Sequence, residues 1–151
     1  MTVFTDDKYR IKRSNIYEKQ MKDLISAKIF GQYRDILVLS AAIGYANNRF
    51  RPIEKPAADA VQIINFKNDD QNMMDLLALI KTKDPTILSK ADKYQYFEGY
   101  ANGGFPILLK ILDFVDMEDY ASSVNRKETL ISLYAHLITE DYVFEDDDFF
   151  E

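Results

Sequence analysis

The run from Tyr33 to Ile53, YRDILVLSAAIGYANNRFRPI, leaves the chain few choices. Ile36, Leu39, Ile43 and Ala46 recur at three- and four-residue intervals, the spacing at which side chains share one face of a helix. Val38 and Ala42 widen that stripe beyond the arc of an ordinary surface helix, so the helix belongs inside a core. Ser40 and Gly44 keep one flank small enough for a neighbouring element to come close. Asn47 and Asn48 tolerate the left-handed conformation that ends helices, and Pro52 forbids continuation while holding Arg51 extended. The expected product is a buried helix running into a short cationic loop.

Upstream, KYRIKR over residues 8–13 alternates. In an extended chain Lys8, Arg10 and Lys12 share one face and Tyr9 and Ile11 the other, so one side packs while the other is free to meet an anion. Asn15 and Glu18 have capping-box spacing, which predicts a helix with Ile16, Tyr17, Met21, Leu24 and Ile25 on its apolar face. Gly31 marks the turn into the central helix. Strand, helix, turn, helix with a basic strand face is the order of ribbon-helix-helix proteins, whose paired strands enter the DNA major groove. An exposed edge strand or coil has the same pattern.

Downstream, Val61–Phe66 is rich in β-branched residues and predicts a strand able to pair with residues 8–13. So short a ribbon must lean on helices or on a second subunit. Asn68, Asp69 and Asp70 cap a helix carrying Met73, Leu76, Leu77 and Ile80, and Asp84-Pro85 opens a turn with Ile87 and Leu88 buried. A helix from about Asp92, with Tyr94, Phe97, Tyr100 and Ala101 on one side, is expected to end at Asn102-Gly103-Gly104. Pro106 then opens another, with Ile107, Leu108, Ile111, Leu112 and Val115 inward. A last helix starts at the Asn125–Glu128 box and packs Leu130, Leu133, Tyr134 and Leu137. The expected fold class is mainly α: about six helices around a buried central helix, with a small two-stranded β element. Residues 1–55 make a basic strand-helix-helix half, residues 56–140 a helical half packed on it as one compact domain, and 141–151 an acidic tail.

Charge follows the same division. Residues 1–55 carry 11 Lys and Arg against 6 Asp and Glu, whereas residues 56–151 carry 8 against 19. Seven of those acids lie between Glu140 and Glu151, a solubilising terminus or an interaction arm. The chain has no cysteine, which removes disulfides, thiolate metal sites and a cysteine nucleophile together. Its one histidine, His136, falls off the apolar stripe of its helix, so it is a surface or border residue rather than a buried base. Asn102-Gly103-Gly104 lacks the Gly-Lys-Ser/Thr ending of a phosphate loop, and a helix corner explains it. No metal motif and no nucleophilic triad is present. The sequence therefore points to a non-enzyme with no cofactor. No apolar run approaches the length of a membrane span, and a cytoplasmic location without membrane association is expected.

What remains are the cations Lys8, Arg10, Lys12, Arg13, Arg34, Arg49 and Arg51. If the strand and the loop after the central helix fold together, these form a patch that neutralises phosphates, with Tyr9, Tyr45 and Phe50 available for stacking. Pairing with the chain's own acidic half or with a protein partner is the alternative use of the same charges.

The strings YRDILVLSAAIGYANNRFRPI, LLALIKTKDPTIL and FEGYANGGFPIL together resemble the small proteins encoded alongside bacterial DNA phosphorothioation (Dnd) systems. The similarity runs from about Arg10 to Leu112, and Gly44, Tyr45, Arg49, Pro52, Tyr100, Gly103 and Gly104 are the matching positions. The resemblance implies an accessory to DNA modification or restriction in phage defence, and brings no catalytic residues with it. The resulting expectation is a DNA-binding accessory, expected as a homodimer, working with other defence-system proteins. The second expectation is an adaptor that docks onto larger subunits without touching DNA.

Overall fold

The computed structural model describes residues 4–112. Its order is strand β1 (Arg10–Ile11), helix α1 (Glu18–Ser26), α2 (Tyr33–Ala46), strand β2 (Val61–Gln62), α3 (Asn68–Thr82) and α4 (Tyr94–Leu112), with single turns of tighter helix before α1, after β2 and between α3 and α4. This is the mainly helical fold with a small sheet that the sequence indicates. β1 and β2 run antiparallel, Arg10 opposite Gln62 and Ile11 opposite Val61, so the first strand takes its partner from the same chain.

The helix count differs for two reasons. Asn102-Gly103-Gly104, expected as a corner, lies inside α4, which runs unbroken through Pro106. The expected helix from Asn125 to Leu137, with Val115, His136 and the acidic tail, lies outside the described residues. Four helices remain among those described.

Continuity of α4 is decided by what its small residues touch. A side chain at Gly104 would run into the carbonyl of Ser40 and the backbone nitrogen of Gly44, and one at Gly44 would run into the carbonyl of Tyr100. Here α2 and α4 meet backbone to backbone, and the helix gains more from that contact than it loses in glycine entropy. Every residue from Phe97 to Leu108 is buried. The central element is thus α4 rather than α2, whose Ala42 and Ala46, expected inward, are exposed.

Other local signals hold with small shifts. Asn48 takes the left-handed conformation at the end of α2 (φ 55°). The N-terminal cap of the first helical segment falls on Ser14 rather than Asn15: its hydroxyl accepts from the Ile16 amide across a tight turn over Asn15–Tyr17. That turn leaves Ile16 exposed while Tyr17, Met21 and Leu24 enter the core. Asp70 accepts the Lys67 amide at 3.1 Å and closes the start of α3. In α3 the inward residues are Met74, Leu77 and Ala78, whereas Leu76 and Ile80, expected inside, face out. Lys93, 1 % exposed, ties α3 to the start of α4 through an ion pair with Asp75 at 2.9 Å and accepting carbonyls of Phe4 and Leu88.

Candidate nucleic-acid interface

The alternation read over residues 8–13 is realised. Ile11 is fully buried and the Tyr9 ring packs 4.6 Å from that of Tyr94, while Lys8, Arg10 and Lys12 are exposed. Neither Lys8 nor Arg10 is paired with a carboxylate among the described residues. The same period carries Arg13 inward. Expected among the phosphate-facing cations, it is 1 % exposed, with its Cζ 3.8 Å above the centre of the Tyr33 ring and its Nε donating to the Asp59 carbonyl at 3.0 Å. Its guanidinium is a structural cation held by an aromatic face.

The loop after α2 is laid down along α4 and then against the strand exit. Arg49 donates its amide to the Gly44 carbonyl at 2.7 Å and Arg51 donates to Gly99 at 3.0 Å. Asn102 donates its side-chain amide to the carbonyls of Arg51 and Pro52. A side chain at Gly103 would strike the Arg49 carbonyl, so this loop rests on bare helix backbone. Further on, the Asn15 amide donates to Lys55 at 2.9 Å and the Ala57 amide to Arg13 at 2.7 Å. The strand exit and the loop therefore fold together, which is the condition for a joint patch.

Two clefts flank Pro52 where they meet. One, of about 540 Å³, has Lys12, Phe50, Tyr96 and Glu98 in its wall; the other, of about 340 Å³, has Ser14, Asn15, Arg51, Glu54, Lys55 and Asn102. Glu98 is 5 % exposed and accepts from the Lys12 amide at 2.7 Å and from the Tyr9 hydroxyl at 3.0 Å. Burial pushes its carboxyl above the ordinary glutamate range, against the opposing pull of the Lys12 amide, the Lys12 charge and the Tyr9 hydroxyl. The Tyr9 phenol is pushed up as well, by burial first and by Glu98 second. Lys12 extends its ammonium over the Tyr9 ring, 4.8 Å from its centre and 3.3 Å from its hydroxyl. The Glu98 carboxyl thus lies against the cationic strand in the cleft wall, with the Lys12 amide and the Tyr9 hydroxyl as donors.

The remaining expected cations are spread over other settings. Arg34 donates to the Asn65 carbonyl at 2.8 Å and pairs with Asp35 at 3.3 Å. Arg49 and Arg51 are half-buried, and Arg51 lies close enough to Tyr17 to oppose the upward push that burial exerts on its phenol. Tyr45 is exposed and stands edge-on to Tyr100. Sequence reasoning missed Lys55, Tyr96 and Glu98. Lys55 had a signal in its position between Pro52 and Pro56, in a loop already expected to be fixed. Glu98 had none, since an acid between Phe97 and Gly99 looks like an exposed helix residue. Among the described residues no group of three or more potential metal ligands gathers, and no helix is long and apolar enough to cross a membrane.

A family model described as DNA sulphur modification system-associated protein 4 matches residues 10–141. No curated protein and no solved structure matches the chain.

Proposed function

The chain belongs to the DNA sulphur modification system-associated protein 4 family, and on that premise we propose that it is a non-enzymatic accessory that contacts DNA through its N-terminal strand. Lys8, Arg10 and Lys12 are the contact residues, and Arg51 and Lys55 extend the positive surface past Pro52. The observation that carries this reading is the folding of the strand exit against the loop after α2, which brings Lys12 and Lys55 to adjoining clefts. Arg13 has no part in it, being sealed in the core. Phosphate contact by exposed cations is sequence-independent and loses affinity steeply with salt.

Mobility shifts of duplex DNA at low and moderate salt test the reading. Salt-sensitive binding by the native chain, abolished when Lys8, Arg10 and Lys12 are all alanine, is the expected result. Binding that survives the triple substitution, or no binding at low salt, contradicts it. Co-purification with other proteins of the modification system in the absence of any DNA binding would then assign the chain to protein docking instead.

A further inference from the structure

The outward residues of α3 fall on one line. Asp69, Asn72, Leu76, Ile80 and Lys83 succeed one another at three- and four-residue spacing and all are exposed, with Leu76 at 55 % and Ile80 at 39 %. Met73 flanks them half-buried. The apolar middle of this line lies opposite the face that carries Met74, Leu77 and Ala78 into the core, so α3 is apolar on two sides, of which the described residues cover only one.

The ends of the line are oppositely charged. Asp69 stands in the first turn and Lys83 at the C-terminal cap, each seven residues from Leu76. Neither forms an ion pair within the described residues. A second α3 laid antiparallel, with Leu76 at the crossing point, sets Asp69 of each helix opposite Lys83 of the other. A parallel arrangement sets acid against acid and base against base. The stripe is therefore self-complementary in the antiparallel orientation, which a two-fold axis perpendicular to the helices produces.

We propose that this stripe is the interface of a two-fold homodimer, in which two copies of α3 pack antiparallel about Leu76 with Ile80 and Met73 beside it and the two Asp69–Lys83 pairs at the rim. This inference does not depend on DNA contact. An interface little wider than one helix is small, so a weak dimer is expected, with a dissociation constant on the order of 10 µM.

Sedimentation equilibrium of the full chain from about 1 to about 200 µM brackets that constant. The expected result is a monomer-dimer equilibrium for the native chain and a monomer throughout for Leu76→Asp, with helical content unchanged because Leu76 is on the surface. Asp69→Lys and Lys83→Asp should each weaken the dimer about tenfold. The double variant D69K/K83D should recover it, and an equimolar mixture of the two single variants should form a heterodimer. A native chain that stays monomeric over the whole range overturns the proposal. So does a dimer that persists in Leu76→Asp, or one whose charge-swapped variants show no recovery in combination.

Discussion

Helices α3 and α4 touch each other and carry similar aliphatic residues, yet their surroundings are opposite. In α4 every position from Phe97 to Leu108 is enclosed, including the polar Glu98 and Asn102. In α3 one face is enclosed while Leu76 and Ile80 remain in solvent. The difference arises from side-chain size rather than hydrophobicity. Gly99, Gly103 and Gly104 remove the bulk that would hold neighbours off, so α2 and the loop after it close on α4 from one side while α3 and the strand region take the others. α3 has no glycine, and nothing among the described residues approaches its outer stripe closely.

The contrast is broken most severely where the glycines meet α2. Gly104→Ala places a methyl group against the Ser40 carbonyl and the Gly44 nitrogen, and neither can move without shifting α2. The expected loss is about 3 kcal/mol or more of unfolding free energy in denaturant titrations. Within α3, Leu77→Ala should cost about 3 kcal/mol, because Leu77 is 4 % exposed and its truncation leaves a cavity. Leu76→Ala, one residue away, should change monomer stability by less than about 0.5 kcal/mol. Equal effects would mean the outer stripe is covered in the monomer.

The link between the two helices is the Asp75–Lys93 pair. Asp75→Asn removes the anion from a lysine that remains buried, and about 2 kcal/mol of destabilisation is expected from thermal or chemical unfolding. The carboxylate is partly exposed, which tempers the effect. The mildest perturbation concerns Glu98. Its carboxyl is raised in the folded state, so its contribution is fully present below the ordinary glutamate pKa and is lost as pH rises through the raised value. Glu98→Gln should flatten the stability-pH curve over the window just above the ordinary carboxylate range while leaving the Lys12 amide an acceptor. A parallel downward slope in both proteins would remove Glu98 as its source.

Much of this architecture is legible in the sequence. The cationic loop, the left-handed Asn48 and the alternation of residues 8–13 all follow from rules that act within a few residues. Two features are not. Asn102-Gly103-Gly104 followed by Pro106 carries every local sign of a helix end, and only contact with Ser40, Gly44 and Arg49, far earlier in the chain, keeps α4 continuous. In α3 the residues 73, 76 and 80 repeat at helical spacing, as do 74, 77 and 78, so periodicity alone does not choose the inward face. The burial of Arg13 is within reach of the sequence: the period that exposes Lys8, Arg10 and Lys12 assigns position 13 to the side of Tyr9 and Ile11. At the candidate interface the strand cations are readable and Lys55 is signalled by its place between two prolines, whereas Glu98 enters only through the packing of α4 against the strand region.

DNA contact through the exposed strand face is tested most directly by the salt dependence of duplex binding. A plot of log affinity against log salt for the native chain should have a clearly negative slope. Replacing Lys12 alone by alanine should reduce its magnitude by about 0.9, the contribution of one phosphate left without its cation. A slope that is the same in both proteins would contradict the assignment of DNA contact to that face.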